Sequence, residues 1–202
     1  LDMSSIKIIG VTGTNGKTTT ASTIYKILLN LGYKVALQGT RGFFINELCV
    51  EDYSLTTPVQ LGNFINIQKA IQNSCQYFVM EVSSHAIEQN RIEGLDFALK
   101  IHTNITRDHL DYHKTIEEYI RVKNLFLSDE SKKLINIDDK VVKFNPIHAF
   151  TYSLENNSNF KVLKYELKDS MNVEFLYENK NYKFSTNMMG IFNIYNLLAA
   201  IA

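Results

Sequence analysis

A glycine-rich segment between an apolar run and a helical pattern constrains the fold of this chain more than any other feature. The segment is GVTGTNGKTTTAS, residues 10–22. The preceding run, IKIIGV at residues 6–11, is typical of a buried parallel strand. After the segment, apolar residues recur every three or four positions until Gly32, which is a C-terminal stop signal. The order strand, loop and helix predicts a row of backbone N–H groups at a helix N-terminus, where an anion can bind.

The side chains of this loop indicate the kind of anion. Gly13 and Gly16 permit tight backbone curvature, and Lys17 can reach the β and γ phosphates of a nucleotide. The hydroxyl of Thr18 can bind Mg²⁺. The general phosphate-loop pattern places a glycine five residues before Gly16, but Val11 stands there. The alternative is a glycine-rich turn with a solvated lysine; the strand before and the helix after favour a nucleotide site.

Apolar runs and helical patterns continue to alternate along the chain, which predicts a three-layer α/β domain with a mainly parallel central sheet flanked by helices. Amphipathic helices are predicted from Pro58 onward and from Thr115 to about Leu127, where Thr115 and Glu118 form a capping box. Asn46 is the predicted turn of a hairpin. Further strands are predicted at residues 34–37, 77–82, 97–101 and 133–137.

The segment from Phe160 to Thr186 has a different pattern. Its apolar and polar residues alternate, with a turn expected at residues 179–181. We predict a small antiparallel sheet near the C-terminus, beside the main sheet and within the same domain.

Composition limits the classes of partner. The 21 basic and 21 acidic residues cancel, so we expect no nucleic-acid or membrane partner and favour small-molecule substrates. Cys49 and Cys75 lack the spacing of a disulfide framework, which indicates reduced thiols and a cytoplasmic location. The chain begins at Leu1 rather than at Met, and it stops inside an apolar helical pattern, so we expect it to be an excerpt of a longer protein.

Two acidic features suggest metal chemistry. Glu81 ends a predicted central strand, where it would face the phosphates across a Mg²⁺ ion; the alternative is a surface glutamate. The segment HTNITRDHLDYH, residues 102–113, is dense in His and Asp. A zinc hydrolase is the rival interpretation, but the paired histidines with a neighbouring glutamate are absent. Solvated loop or capping roles are expected for His102 and possible for His113.

Seven segments together resemble the central ATPase domain of the Mur ligase family, in the right order over nearly the whole chain. EVSSH followed by EQNR is the most discriminating pair, and it resembles the branch of the family that adds the third peptide residue of peptidoglycan. The segments are GVTGTNGKTTT, TTP, MEVSSHAIEQNRIEG, TNITRDHLDYH, YIRVK, INIDD and MGIFNIYNLLAA.

The resemblance implies an activity. A carboxylate of UDP-MurNAc-L-Ala-D-Glu would attack the γ-phosphate of ATP to give an acyl phosphate, and the amine of diaminopimelate or lysine would then form the amide. Residues 1–202 would be the ATP-binding domain of a monomeric enzyme, with a UDP-binding domain before it and, beyond Ala202, an amino-acid-binding domain that selects the amine. The isolated domain would bind Mg-ATP weakly and ligate poorly. Another phosphate-transfer enzyme and a non-catalytic nucleotide-binding module remain the alternatives.

The resemblance also implies site residues. Lys123 would be carbamylated, although its helix pattern alone predicts a solvated lysine. Without the resemblance, Arg91 would likewise be interpreted as a solvated charge. Two Mg²⁺ ions would be held by Thr18, Glu81, His109 and the modified Lys123, and the catalytic residues would be Lys17, His109 and Lys123. The remaining assignments are, for ATP, Gly13, Thr14, Asn15, Gly16, Lys17, Thr18, Thr19, Asn193 and Asn196, and, for the sugar-peptide, Thr56, Thr57, Ser83, Gln89 and Arg91.

Overall fold

The computed structural model describes residues 2–52, 55–106 and 115–202. These residues form one eleven-stranded sheet. Its strands are β1 (Lys7–Thr12), β2 (Val35–Gly39), β3 (Gly42–Ile45), β4 (Leu48–Glu51), β5 (Tyr77–Val82), β6 (Phe97–His102), β7 (Lys133–Asn136), β8 (Ala149–Ser153), β9 (Phe160–Leu167), β10 (Met171–Tyr177) and β11 (Lys180–Thr186).

The strand order indicates where a ligand crevice is expected. The order is β11-β10-β9-β8-β7-β6-β1-β5-β2-β3-β4, and every pair from β9 across to β2 is parallel. The chain leaves β1 in the middle of the sheet, while its parallel neighbours β5 and β6 come later in sequence. In open parallel sheets, ligands bind beyond the carboxyl ends of the strands at such a point. The loop after β1 therefore lies where a binding site is expected.

Helices cover both faces of the sheet and give the predicted three layers. One core packs α1 and α5 against residues such as Val11, Val79 and Ile101. The other packs α2 against residues such as Phe78 and Met80. The helices of the described residues are α1 (Lys17–Asn30), α2 (Gln60–Gln72), α3 (Ser84–Glu88), α4 (Ile116–Leu125) and α5 (Ile191–Ile201). None of these helices is both long enough and apolar enough to cross a membrane.

Most of the predicted elements are confirmed. Gly32 lies just after α1 with φ 87°, and Asn46 turns the β3–β4 hairpin with φ 51°. The Thr115 side chain accepts from the Glu118 N–H at 3.2 Å, so the α4 cap forms as expected. α4 ends at Leu125, two residues before the predicted limit.

The C-terminal meander differs from the prediction in its position. β9, β10 and β11 are antiparallel as expected, but β9 also pairs in parallel with β8 through Tyr152 and Phe160. β8, a strand that the sequence analysis missed, pairs with β7 and so joins the meander to the main sheet. The meander therefore extends the central sheet and is not a separate small sheet. Its tight turn lies at Glu178 and Asn179, both with positive φ, slightly before the predicted position.

Asp138 fixes the end of β7 to α5. Its carboxylate accepts from Tyr195 Oη on α5 at 2.9 Å and from the Leu154 N–H at 2.7 Å. Burial acts to raise the pKa of Asp138, but these bonds and others from Ser153 and Asn156 lower it to about 2. The ionised carboxylate thus holds α5 against the carboxyl end of the sheet, next to the loop that follows β1.

Candidate functional site

The glycine-rich loop has no room for side chains at two positions. Gly13 has φ 153° and Gly16 has φ 85°, which are backbone conformations that favour glycine. A Cβ at Gly13 would lie 1.8 Å from Oγ1 of Thr103. A Cβ at Gly16 would lie 2.1 Å from Oδ1 of Asn196. The loop is thus enclosed between the segment after β6 and helix α5, and α1 begins directly after it at Lys17.

Residues 103–106, which follow β6, are hydrogen-bonded to the loop along its length. The Thr14 N–H donates to the Asn104 carbonyl at 2.7 Å, and Thr103 Oγ1 donates to the Asn15 carbonyl at 2.6 Å. The Thr106 N–H donates to Thr14 Oγ1 at 3.0 Å. The two segments therefore form one rigid unit at the carboxyl ends of β1 and β6.

Two lysines converge on the same carbonyl of this loop. Nζ of Lys17 and Nζ of Lys123 each donate to the Gly13 carbonyl at 2.8 Å. Lys17 also donates to the Thr14 carbonyl at 3.0 Å. Lys123 is 1% exposed, and its ammonium lies 5.1 Å from the centre of the Tyr119 ring, within cation–π range. The solvated position that the helix pattern alone predicted for Lys123 is wrong, because the loop carbonyl and the aromatic ring bury it.

Glu81 lies at the carboxyl end of β5, where the sequence predicted a crevice carboxylate. It is 2% exposed. Its Oε2 accepts from Thr18 Oγ1 at 2.9 Å, and its Oε1 accepts from the Thr40 N–H at 2.9 Å. Gly39 leaves the room for it, since a Cβ there would lie 2.2 Å from Oε1. The alternative of a surface glutamate is excluded, and a buried carboxylate adjoins the first turn of α1.

The residues predicted for the sugar-peptide form a corner beside Glu81. Thr57 Oγ1 donates to the Glu81 carbonyl at 2.9 Å and accepts from the Ser83 N–H at 3.1 Å. Nη1 of Arg91 donates to the Thr57 carbonyl at 2.9 Å, while Nε and Nη2 donate to Oε1 of Gln89 at 2.9 and 2.6 Å. Arg91 is therefore a held, half-buried guanidinium rather than the free surface charge that its sequence position alone suggested. Thr56 adjoins this corner through Thr40, whose Oγ1 lies 3.1 Å from its own.

The predicted asparagines of α5 lie near Gly16 of the loop, which Asn196 contacts. Asn193 and Asn196 are both buried, and Nδ2 of Asn196 donates to Oδ1 of Asn193 at 3.3 Å. The Asn196 carbonyl accepts from Thr20 Oγ1 at 3.4 Å. α5 thus places the Asn196 amide against Gly16 of the loop, with Asn193 hydrogen-bonded to it. Thr19, the remaining predicted ATP residue, lies in the first turn of α1.

His102 contradicts its expected role as a solvated loop or capping residue. It is the last residue of β6 and is fully buried. Its Nε2 lies 2.8 Å from Oδ2 of Asp139, which also accepts from the Ile105 N–H at 2.7 Å. Burial lowers the pKa of His102 and outweighs the raising effect of Asp139. The neutral imidazole therefore donates to Asp139 and supports the segment that encloses the loop.

This buried pair predicts acid sensitivity. Below the ordinary histidine pKa of about 6.5, the unfolded chain binds a proton that buried His102 resists, so the folded state loses stability as the pH falls from 7 to 5. In His102→Gln the amide can still donate to Asp139 but does not titrate. We expect this variant to lose about 1 kcal/mol less unfolding free energy between pH 7 and pH 5 than the unchanged protein. Urea unfolding at both pH values measures the difference.

The control is His148→Gln, since His148 is exposed. The explanation is contradicted if both variants show the same pH dependence as the unchanged protein. The titration of Asp139 does not contribute to the stability difference between pH 7 and pH 5. Burial acts to raise its pKa, but the His102 bond lowers it, so the stability that it contributes is lost only at lower pH.

His109 and its neighbours Asp108, Asp111 and His113 lie outside the described residues, so their predicted roles stay predictions. Within residues 2–52, 55–106 and 115–202, three or more His, Cys, Asp and Glu side chains do not come together in a metal-binding group. The oxygen atoms around Glu81 come instead from threonine hydroxyls. That donor set fits a hard cation such as Mg²⁺ better than it fits zinc.

The sequence analysis missed several residues that shape the site. Tyr119 Oη lies 2.9 Å from Thr14 Oγ1, and it shares one face of α4 with Lys123 four residues later. Gln38, Asn63 and Asn66 form a fully buried amide cluster beside the Arg91 corner. A signal for two of them exists, because Asn63 and Asn66 interrupt the apolar stripe that Ile67 and Ala70 continue on α2.

Comparison with known proteins decides the family. The family model described as the Mur ligase middle domain matches residues 11–202. The chain is a Mur ligase middle domain. The match confirms the family that the motif resemblance indicated, and the mostly parallel sheet with helices on both faces confirms the fold class predicted from the alternating pattern.

Curated and structural relatives of this middle domain are consistent with one another. A protein from Wolinella succinogenes, named UDP-N-acetylmuramoyl-L-alanyl-D-glutamate--2,6-diaminopimelate ligase, is 53% identical over 98% of the chain and 45% of its own length. A protein of the same name from Helicobacter hepaticus is 50% identical over 98% of the chain and 44% of its length. A solved structure with that enzyme name has a TM-score of 0.86 at 29% identity, covering 97% of the chain and 42% of its own. The chain thus spans less than half the length of these relatives.

Proposed function

We propose that this middle domain serves an ATP-dependent ligase that adds diaminopimelate to UDP-MurNAc-L-Ala-D-Glu. The names of the relatives support the reaction and the choice of amine. The observation that carries the proposal is the position of Lys123, buried with its Nζ 2.8 Å from the Gly13 carbonyl. A module that only bound nucleotide would not need a second lysine, buried beside Lys17, at that carbonyl. The glycine-rich loop supports ATP binding, and Lys123, Glu81 and the Arg91 corner around the loop support amide formation.

The nucleotide would be bound by residues 13–19 and by α5. Backbone N–H groups at the start of α1 would donate to the phosphate oxygens, and Lys17 would neutralise charge on the β and γ phosphates. Its present acceptors are the carbonyls of Gly13 and Thr14, so the ammonium is already held over the loop. Asn193 and Asn196 would contact the adenine side, because α5 places Asn196 against Gly16 and Asn193 is hydrogen-bonded to Asn196.

Magnesium fits the oxygen donors next to the loop. The Thr18 hydroxyl and the Glu81 carboxylate would hold one ion, and His109 and a modified Lys123 would hold a second. Bound there, Mg²⁺ would supply positive charge against the oxygens of the phosphoryl group in transfer. The fit rests on the 2.9 Å distance between Thr18 Oγ1 and Glu81 Oε2, which places a neutral hydroxyl next to a buried carboxylate.

Carbamylation of Lys123 would resolve an electrostatic conflict. Two ammonium groups bonded to the same Gly13 carbonyl repel each other, and burial of Lys123 limits the screening of that repulsion by water. Addition of CO₂ to the free amine, with loss of a proton, forms an N–COO⁻ group that removes the second positive charge. The nitrogen keeps one N–H, which can still donate to the Gly13 carbonyl. The added carboxylate then offers oxygen ligands on the nucleotide side of α4.

The sugar-peptide would bind at the corner built by Thr56, Thr57, Ser83, Gln89 and Arg91. Within the described chain, Arg91 uses three N–H groups of its guanidinium for Thr57 and Gln89. A guanidinium has five, so two can donate to a carboxylate or pyrophosphate of the substrate. The corner adjoins Glu81 through Thr57, so the substrate carboxylate could approach the γ-phosphate there. Its attack would give the acyl phosphate and ADP, and the amine would then displace phosphate.

Phosphate release by the full-length protein tests the proposal. With Mg-ATP and UDP-MurNAc-L-Ala-D-Glu, we expect phosphate release that depends on diaminopimelate, with lysine at least about tenfold less effective. The ligated product is identified by mass spectrometry. Phosphate release that needs no sugar-peptide would favour another phosphate-transfer enzyme. Full ligase activity after Lys17→Ala would favour a nucleotide-binding module without a catalytic role.

A further inference from the structure

A buried asparagine on α2 connects two parts of the proposed sugar-peptide corner. Asn63 is 0% exposed. Its Nδ2 donates to the Arg91 carbonyl at 2.7 Å and to the Pro58 carbonyl at 3.3 Å. Both acceptors are backbone oxygens, so the amide nitrogen must face them. The Asn63 side chain therefore bridges the segment that contains Thr57 and the segment that contains Arg91.

The bridge closes a ring of hydrogen bonds. The Arg91 guanidinium donates to the Thr57 carbonyl at 2.9 Å, while the Arg91 backbone accepts from Asn63. Asn63 returns to the Thr57 segment through Pro58. Arg91 is thus held at both its backbone carbonyl and its guanidinium, so neither the backbone nor the side chain can move without breaking a hydrogen bond.

A second amide pairs the remaining polar atom of Asn63. Oδ1 of Asn63 accepts from Nε2 of Gln38 at 2.8 Å, and Oε1 of Gln38 accepts from Nδ2 of Asn66 at 2.8 Å. Gln38 lies on β2, one residue before Gly39, which provides room for Glu81. Buried amides of this kind are costly unless their groups are paired. Hydrogen bonds among Gln38, Asn63 and Asn66 pair these groups, and they connect β2 of the central sheet to the Arg91 corner.

We propose that Asn63 is a positioning residue for the substrate corner: it holds Arg91 and the Thr57–Pro58 segment in the geometry that binds the sugar-peptide. This inference rests on the proposed function for the identity of the ligand. The positioning itself concerns only the described residues. Asn63 lies behind the corner and acts through the backbone carbonyls of Pro58 and Arg91.

The test compares Asn63→Leu with Gln38→Met in the full-length protein. Leucine has the same branching at Cγ as asparagine but cannot donate to either carbonyl. Gln38→Met removes the two bonds of a side chain that is also 0% exposed, while Asn63 keeps its two carbonyl acceptors. Calorimetry measures the binding of UDP-MurNAc-L-Ala-D-Glu and of Mg-ATP. Amide hydrogen exchange follows residues 55–59 and 89–94, and thermal unfolding measures the loss of stability in each variant.

We expect both variants to unfold at lower temperature, and only Asn63→Leu to weaken sugar-peptide affinity, by about tenfold. Its two segments should exchange faster, while Mg-ATP affinity stays within about twofold of the unchanged protein. Equal effects of the two variants on affinity and exchange would overturn the inference, as would unchanged exchange in Asn63→Leu.

Two further arms keep the test decisive. If Asn63→Leu does not fold, Asn63→Asp keeps the side-chain shape while removing the amide N–H groups, and the same outcomes apply. If the unchanged protein does not bind the sugar-peptide, the proposed function fails. The exchange comparison then still decides whether Asn63 positions the two segments.

Discussion

Glu81→Gln is expected to lower the rate constant of ligation at saturating substrates by about a thousandfold. Glutamine keeps the shape of the side chain, and its one oxygen can still accept from the Thr40 N–H, while its amide nitrogen can donate to the Thr18 hydroxyl oxygen. What it loses is the negative charge that would hold Mg²⁺ beside the γ-phosphate. Phosphate release at saturating ATP and sugar-peptide measures the effect.

Two comparisons make the Glu81 result specific. Glu93→Gln changes an exposed glutamate and should leave the rate within about twofold, since surface substitutions of this kind have small effects. Calorimetry should show that Mg²⁺ increases ATP affinity less in Glu81→Gln than in the unchanged protein. Activity of Glu81→Gln near that of the unchanged protein would remove Glu81 from the proposed metal site.

Lys123→Met is expected to lower ligation by about a hundredfold or more. Methionine keeps an apolar contact with Tyr119 but cannot carry a carbamate or donate to the Gly13 carbonyl. Incubation of the folded, magnesium-loaded protein with ¹³C-bicarbonate should give a carbamate signal by NMR. That signal should be absent in Lys123→Met.

Lys133→Met provides a matched control for a buried lysine. Lys133 is 0% exposed, and its Nζ donates to the carbonyls of Asp129, Ser131 and Ile147. Its loss should reduce stability without removing the carbamate signal. A carbamate signal that persists in Lys123→Met, or that never forms in the unchanged protein, would contradict the assignment.

The sequence predicted the parts of the fold that depend on local patterns. Residues 6–11 and 77–82 are apolar runs, and both became central parallel strands. The position of the meander was not predictable in the same way. It depends on pairing of Phe160 with Tyr152 in β8, a strand whose exposed Phe150 and polar Thr151 give a weak local signal.

For the site, the sequence predicted which residues take part better than it predicted how buried they are. Glu81 and Thr18 are 63 positions apart, and the expectation that a strand end would meet the loop brought them together correctly. Lys123 and His102 were expected in solvent when judged from the residues alone. Their burial depends on partners that are distant in sequence, namely the Gly13 carbonyl and Asp139. Charge patterns on one helix or strand carry no information about such partners.

The way in which the phosphate loop is bonded to its surroundings bears on the entropy of nucleotide binding. Residues 103–106 are hydrogen-bonded to the loop, and so are Tyr119 and Lys123 of α4. Asn196 of α5 packs against Gly16. A flexible loop would lose conformational freedom when a triphosphate arrived, and affinity would fall accordingly. Here the loop is already ordered when the domain folds, so nucleotide binding costs it less conformational entropy.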